Sequence, residues 1–204
     1  MRRALKGLVA RGGQGYASTE ISKWRKLMKK FPVLFVIAAL FPLAAVAQQA
    51  TSSPVSEAVK NVVAQRSKII VAAAEEMPAD KYSYHPTPEQ MTFAHLVVHL
   101  AGSNYFLCST IAGSKPPETE KLADTDPKDK LVTALKGSFD YCNDVMSKAD
   151  DSKLGENLQI FRRQESRAGV MITLTDDLYD HYSQAAMYLR LNGLLPPTAQ
   201  RERM

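Results

Sequence analysis

The chain has 204 residues, with 26 Lys or Arg against 21 Asp or Glu, a formal charge of +5 and only two cysteines. That length accommodates one domain whose core does not depend on disulfides. The positive charge does not imply a nucleic-acid partner: residues 1–47 hold nine Lys or Arg and a single acid, Glu20, so residues 48–204 carry 17 basic and 20 acidic side chains, a formal charge of −3 and no basic cluster.

The leader comes first. From Met28 the run MKKFPVLFVIAALFPLAAVAQQ has a basic start at Lys29 and Lys30, an apolar stretch from Phe31 to Leu43 and a small-x-small end at Ala45-Val46-Ala47. This is the layout of a secretory signal peptide, with cleavage expected after Ala47 and export to the periplasm or the medium. The apolar stretch is shorter than the roughly 20 residues a membrane span requires, and Pro42 interrupts it, so no stable span is expected after cleavage. Residues 1–27, which include the only tryptophan, Trp24, either extend the basic region or precede a start at Met28. In both cases the mature domain is 48–204.

The first helix is expected from Ser56 to Met77, where Val59, Val62, Val63, Ile69, Ile70 and Ala73 form an apolar side and Pro78 ends it. A loop, PADKYSYHPTPEQ, follows. A second helix starts at Thr92, a good N-cap type, and carries Phe93, Leu96, Val97, Leu100, Ala101 and Leu107 until Gly113 and Pro116-Pro117 stop it. Asp126 ahead of Pro127 reads as a capping residue with proline at the first helical position, opening a third helix through Leu131, Leu135, Phe139, Cys142 and Met146. After a polar connection, Val170, Leu174, Leu178, His181, Ala185 and Tyr188 recur at three or four, and Asn192-Gly193 with Pro196-Pro197 closes the fourth helix. No period-two alternation is long enough to argue for a sheet. The fold class is therefore all-α, a four-helix bundle, and the long loops leave room for a topology other than simple up and down.

Two histidines fall among apolar residues of different helices, His99 in LVVHLA and His181 in DLYDHYSQAA. A buried imidazole needs a partner for each nitrogen, and a core hydrogen bond is the ordinary one. Asp177 changes the balance, because residues four apart share a helix face. Asp177 is then an orienter of His181, an ion-pair partner, or a ligand beside it. His99, Asp177 and His181 together make a three-ligand set that leaves coordination positions open. His95, one turn before His99, offers a competing set of His95, His99 and His181, although its place near the helix start suits a polar mouth residue. His85, in the loop, is expected to be exposed.

The segment MPADKYSYHPTPEQMTFAHLVVHLA resembles the part of the DinB-like superfamily in which a Pro-Thr-Pro loop leads into a helix bearing a metal histidine, matched here by His99. HYSQAAMYLRLNGLLPP is similar to the superfamily's terminal pattern, in which a histidine pair four apart precedes an amide, Tyr-Leu-Arg, Gly and Pro-Pro. His181 matches the second member of that pair and Gln184 the amide, whereas Asp177 stands where the first histidine is usual. Aspartate there either supplies a harder oxygen ligand or marks a site without tight binding. The resemblance implies a bundle with a divalent ion near one end, here zinc or nickel, and a homodimer as the assembly. It also implies a metal-dependent hydrolase or transferase acting on a small molecule, through a bound thiol or a bound water of lowered pKa. Export argues against a cytosolic thiol cofactor. The alternative is a non-catalytic small-ligand-binding or stress-related bundle protein.

Cys108 and Cys142 lie on the second and third helices of a protein bound for an oxidising compartment, so a disulfide is expected, contributing roughly 3–4 kcal/mol by loop entropy. Tyr188 continues the apolar stripe and is expected in the core with its hydroxyl bonded. Arg190 is expected to pair with a carboxylate near the helix end.

Overall fold

A computed structural model describes residues 53–201. The signal segment, its cleavage after Ala47 and Trp24 lie outside the described residues. Among those described, no helix is long and apolar enough to cross a membrane.

Helix α1 (Pro54–Glu76) has proline in its first turn, where a missing N–H costs nothing. The Asp151 carboxylate reaches across the fold to accept from the Val55 and Ser56 N–H groups at 3.0 and 2.8 Å. At the other end of α1, Lys128 Nζ donates to the carbonyls of Glu75 and Met77, placing a cation at the negative pole of the helix. Helix α2 (Phe93–Ala112) is capped by Thr92, whose hydroxyl accepts from His95 N–H, and ends at Gly113 with φ 67°. That left-handed conformation lets Gly113 and Ser114 satisfy the carbonyls of Thr110 and Ser109.

Helix α3 (Lys128–Ser147) begins one residue later than the sequence suggests. Asp126 does not cap it; its carboxylate is held by Ala123 N–H and Lys130, inside the preceding turn. Helix α4 (Arg167–Leu191) is capped by Ser166, and Gly193 turns the chain at φ 76° into the short α5 (Pro197–Arg201). Gln200 and Thr198 tie α5 to Glu76 and Tyr182.

Between α3 and α4 the sequence reading missed an antiparallel hairpin, β1 (Asn157–Ile160) with β2 (Arg163–Ser166). Its strands are four residues long and mostly polar. Its turn carries Phe161 at φ 51°, so no Asn-Gly or glycine signal announces it.

Helix directions follow from the contacts. Asn104 with Ser138 and Cys108 with Cys142 keep one offset, so α2 and α3 are parallel. Lys128 at the end of α1 and Asp151 at its start make α1 and α3 antiparallel. Tyr188 donates to the Met91 carbonyl while His181 faces His99, so α4 runs against α2. The order is up-down-down-up, with α1 and α2 each packed on α3 and α4 and diagonal to one another. Parallel neighbours require a connection that returns along the bundle, which is why residues 114–127 form a long crossover.

The core is continuous, running from Val63 and Ile70 through Leu100, Leu131, Leu135 and Phe139 to Leu174 and Leu178. The Cys108–Cys142 disulfide ties α2 to α3 across a Cα separation of 5.3 Å. Tyr82, Phe93 and Tyr188 stack edge-on or tilted at the end of the bundle where α2 begins, with the Tyr82 hydroxyl bonded to Ala74 O. Tyr188 is buried with its hydroxyl on Met91 O, as its place on the stripe suggests. Arg190 is exposed, and no described carboxylate lies within ion-pair distance of it, contrary to expectation.

Candidate metal centre

The antiparallel packing of α2 on α4 brings His99 opposite Asp177 and His181. One donor atom from each lies within 4.8 Å of the other two. His181 Nδ1 is 3.4 Å and His99 Nε2 3.8 Å from Asp177 Oδ1, and the two imidazole rings are tilted by 32° with centroids 4.6 Å apart.

The three groups differ in exposure. His181 and Asp177 are largely enclosed, with 10 % and 17 % of their side chains exposed, whereas His99 is 41 % exposed. The sequence reading of His99 as an imidazole among core residues is thus corrected. Leu96, Leu100 and Ala101 face the core, while His99 sits on an exposed flank of α2 beside His181 of α4. His95 lies one turn away and is exposed, with Nδ1 2.9 Å from an Asp124 carboxylate oxygen on the crossover. It is engaged there and does not join the cluster, so the competing set of His95, His99 and His181 is not assembled. His85 is exposed, with its ring on Thr87 O.

Hydrogen bonds fix the chemistry of His181. Its Nδ1 stands 2.7 Å from the Asp177 carbonyl oxygen, which can only accept, so Nδ1 carries a proton and Nε2 is the lone-pair atom of the neutral ring. This is the orientation in which a histidine serves as a ligand. The Ser103 hydroxyl lies 3.3 Å from His99 Nε2. Asp177 Oδ2 is buried without a hydrogen-bond partner, an expensive condition for a carboxylate. Burial pushes the Asp177 carboxyl above the usual range, against the pull of His181 and His99. Desolvation and the neighbouring His181 lower the His99 imidazole pKa, against the pull of Asp177.

The donor set fits a divalent ion. Two imidazoles and one carboxylate suit first-row metals, and three protein ligands leave further positions open. Donors around a tetrahedral ion at about 2.0–2.1 Å stand roughly 3.4 Å apart, so binding would draw the three groups together. His99, the most exposed, has room to move. A cavity of about 720 Å³ on the opposite flank of α2, beneath the crossover and lined by Ala101, Gly102, Tyr105 and Ala134, contains none of these groups. Gln184 donates to Asp180 rather than to the cluster.

A family model described as the DinB superfamily matches residues 64–185. No curated protein matches the sequence. Among solved structures, a DinB-like protein from Bacillus cereus superposes with a TM-score of 0.57 at 15% identity, covering 65% of this chain and 89% of that one. A DinB-like protein from Bacillus subtilis gives 0.57 at 16%, covering 66% and 92%. A mutant of a mycothiol-dependent maleylpyruvate isomerase gives 0.52 at 12%, and there the match covers 62% of this chain and 58% of the isomerase. At these identities the structures speak for the fold.

Proposed function

The chain belongs to the DinB superfamily, and from that premise we propose that it is an exported, metal-dependent bundle protein in which His99, Asp177 and His181 hold a divalent ion, zinc or nickel, for hydrolysis or group transfer on a small molecule. The observation that carries the reading is the buried, unpartnered Oδ2 of Asp177 beside the His99 and His181 imidazoles. A cation there would satisfy an oxygen that the protein leaves unsatisfied.

A divalent ion bound there supplies Lewis acidity, lowering the pKa of a water or thiol that it meets. The chain's own groups do the rest. The Asp177 carbonyl fixes the His181 ring, and the exposed His99 leaves the cluster open to a substrate from one side. His95, with Nδ1 held by Asp124, presents Nε2 as a proton acceptor one turn from His99. The solved isomerase of this fold is named for its dependence on mycothiol. With export as proposed, water is the more available nucleophile, which favours hydrolysis over thiol transfer.

The test is metal analysis of tag-free protein alongside His99→Ala and His181→Ala. Wild type is expected to retain about one ion per chain and the variants little. Equal metal content in all three would sink the proposal, and ligand binding that survives chelation would point to the non-catalytic alternative.

A further inference from the structure

Phe161 is 70% exposed at the hairpin tip and takes φ 51°. Only the first of the two loop residues has positive φ, a position that tight hairpins normally give to glycine. A bulky aromatic residue is an outlier in that conformation, and its exposure brings no compensating burial. Apart from its contact with Phe106, folding offers no reason for phenylalanine here.

Its surroundings offer one. Ile160, fully buried, anchors the hairpin, which packs against α2 and α4. The Phe161 ring lies on Phe106, with centroids 5.1 Å apart and planes tilted by 35°. Phe106 is on α2 seven residues after His99, with Ser103 between them, so all three fall on one flank of α2. Seven residues at 1.5 Å rise place Phe106 about 10 Å along the axis from His99.

We propose that Phe106 and Phe161 form an aromatic subsite on this flank, which receives the planar apolar tail of a substrate whose other end meets His99, Asp177 and His181. The inference rests on the metal reading of those three residues. It specifies a substrate class: a metal-binding head joined to an aromatic or similarly flat group by a linker of about 10 Å.

Hydroxamic acids, which chelate divalent ions, provide the probes. Three are compared on the zinc-loaded full chain: acetohydroxamate, a hydroxamate with a saturated arm spanning about 10 Å, and the same arm ending in phenyl. The phenyl-ended probe is expected to bind roughly two- to tenfold more tightly than its saturated counterpart, the range of an aromatic pair contact. Phe161→Gly, which suits the positive φ, and Phe106→Leu, which keeps apolar volume, should each abolish that gain while leaving metal content and acetohydroxamate affinity unchanged. Zinc-loaded protein that binds acetohydroxamate but shows no phenyl gain, or keeps the gain in both variants, overturns this inference alone. Protein that takes up no zinc overturns the metal reading, and this inference with it.

Discussion

Replacing Asp177 by asparagine should have opposite effects on stability with and without metal. In the metal-free protein the Asp177 carboxylate is 17% exposed, and its Oδ2 has no hydrogen-bond partner. An unsatisfied buried polar atom costs about 1–3 kcal/mol, and a neutral amide of the same shape avoids the charged part of that cost. Metal-free Asp177→Asn should therefore be more stable than wild type by about 1 kcal/mol at neutral pH, or roughly 2–4 °C in Tm for a domain of this size. With zinc at about 100 times its Kd, wild type gains about 2.7 kcal/mol, and the variant should gain much less, so the ranking reverses. The folded pKa of Asp177 is raised above its unfolded value, chiefly by burial. Its stabilising contribution is therefore complete below the unfolded pKa and lost as pH rises through the folded one. The metal-free advantage of Asp177→Asn should accordingly vanish towards pH 4 and grow as pH rises. Thermal melts in chelator and in zinc across that range are the assay. A variant less stable than wild type in chelator, with an equal zinc-induced shift, would refute the reasoning.

Denatured, unreduced protein should show no free thiol, and Cys142→Ala should lose roughly 3–4 kcal/mol in urea unfolding; two titratable thiols would contradict the disulfide. Lys128→Met removes the cation from the carbonyls of Glu75 and Met77 and should cost about 1 kcal/mol, a loss that an unchanged urea midpoint would rule out. Desolvation raises the Asp151 pKa, but the N–H groups of Ser56 and Val55 outweigh it and hold the carboxyl below its ordinary value. The stability this gives is present above the unfolded pKa and lost as pH falls through the folded one, so the advantage of wild type over Asp151→Asn in melts at neutral pH should disappear in strong acid.

The four helices were legible because each carries its own punctuation. Thr92 and Gly113 act as caps where their residue types suggest, and the apolar spacing of α4 matches its buried face. What escaped depends on long-range partners. Asp126 is a good N-cap residue, yet Lys130 and Ala123 N–H hold it in the turn before α3. The carboxylate that does cap a helix from afar, Asp151, lies almost a hundred residues from the N–H groups it accepts from, and local pattern cannot show that. The hairpin was hidden because a phenylalanine occupies the turn position where glycine would have marked it.

At the candidate site, the spacing of Asp177 and His181 was readable because a helix guarantees it. The depth of His99 was not, since its apolar neighbours in LVVHLA face the core and it does not. That difference shapes what the site can do. Had His99 been enclosed like His181, the three donors would form a closed structural cluster with no approach for a reactant. Placed on the flank of α2, it leaves the cluster exposed on one side, with His95 one turn below and Phe106 two turns above. The crossover runs along the other side of α2, where Leu122 lines the cavity beneath it, and meets the His99 flank at Asp124, which holds His95. Topology thus separates the two faces of one helix: the α3 side is locked by the disulfide and the Asn104–Ser138 bond, and the flank beside α4 keeps His99 exposed next to Asp177 and His181.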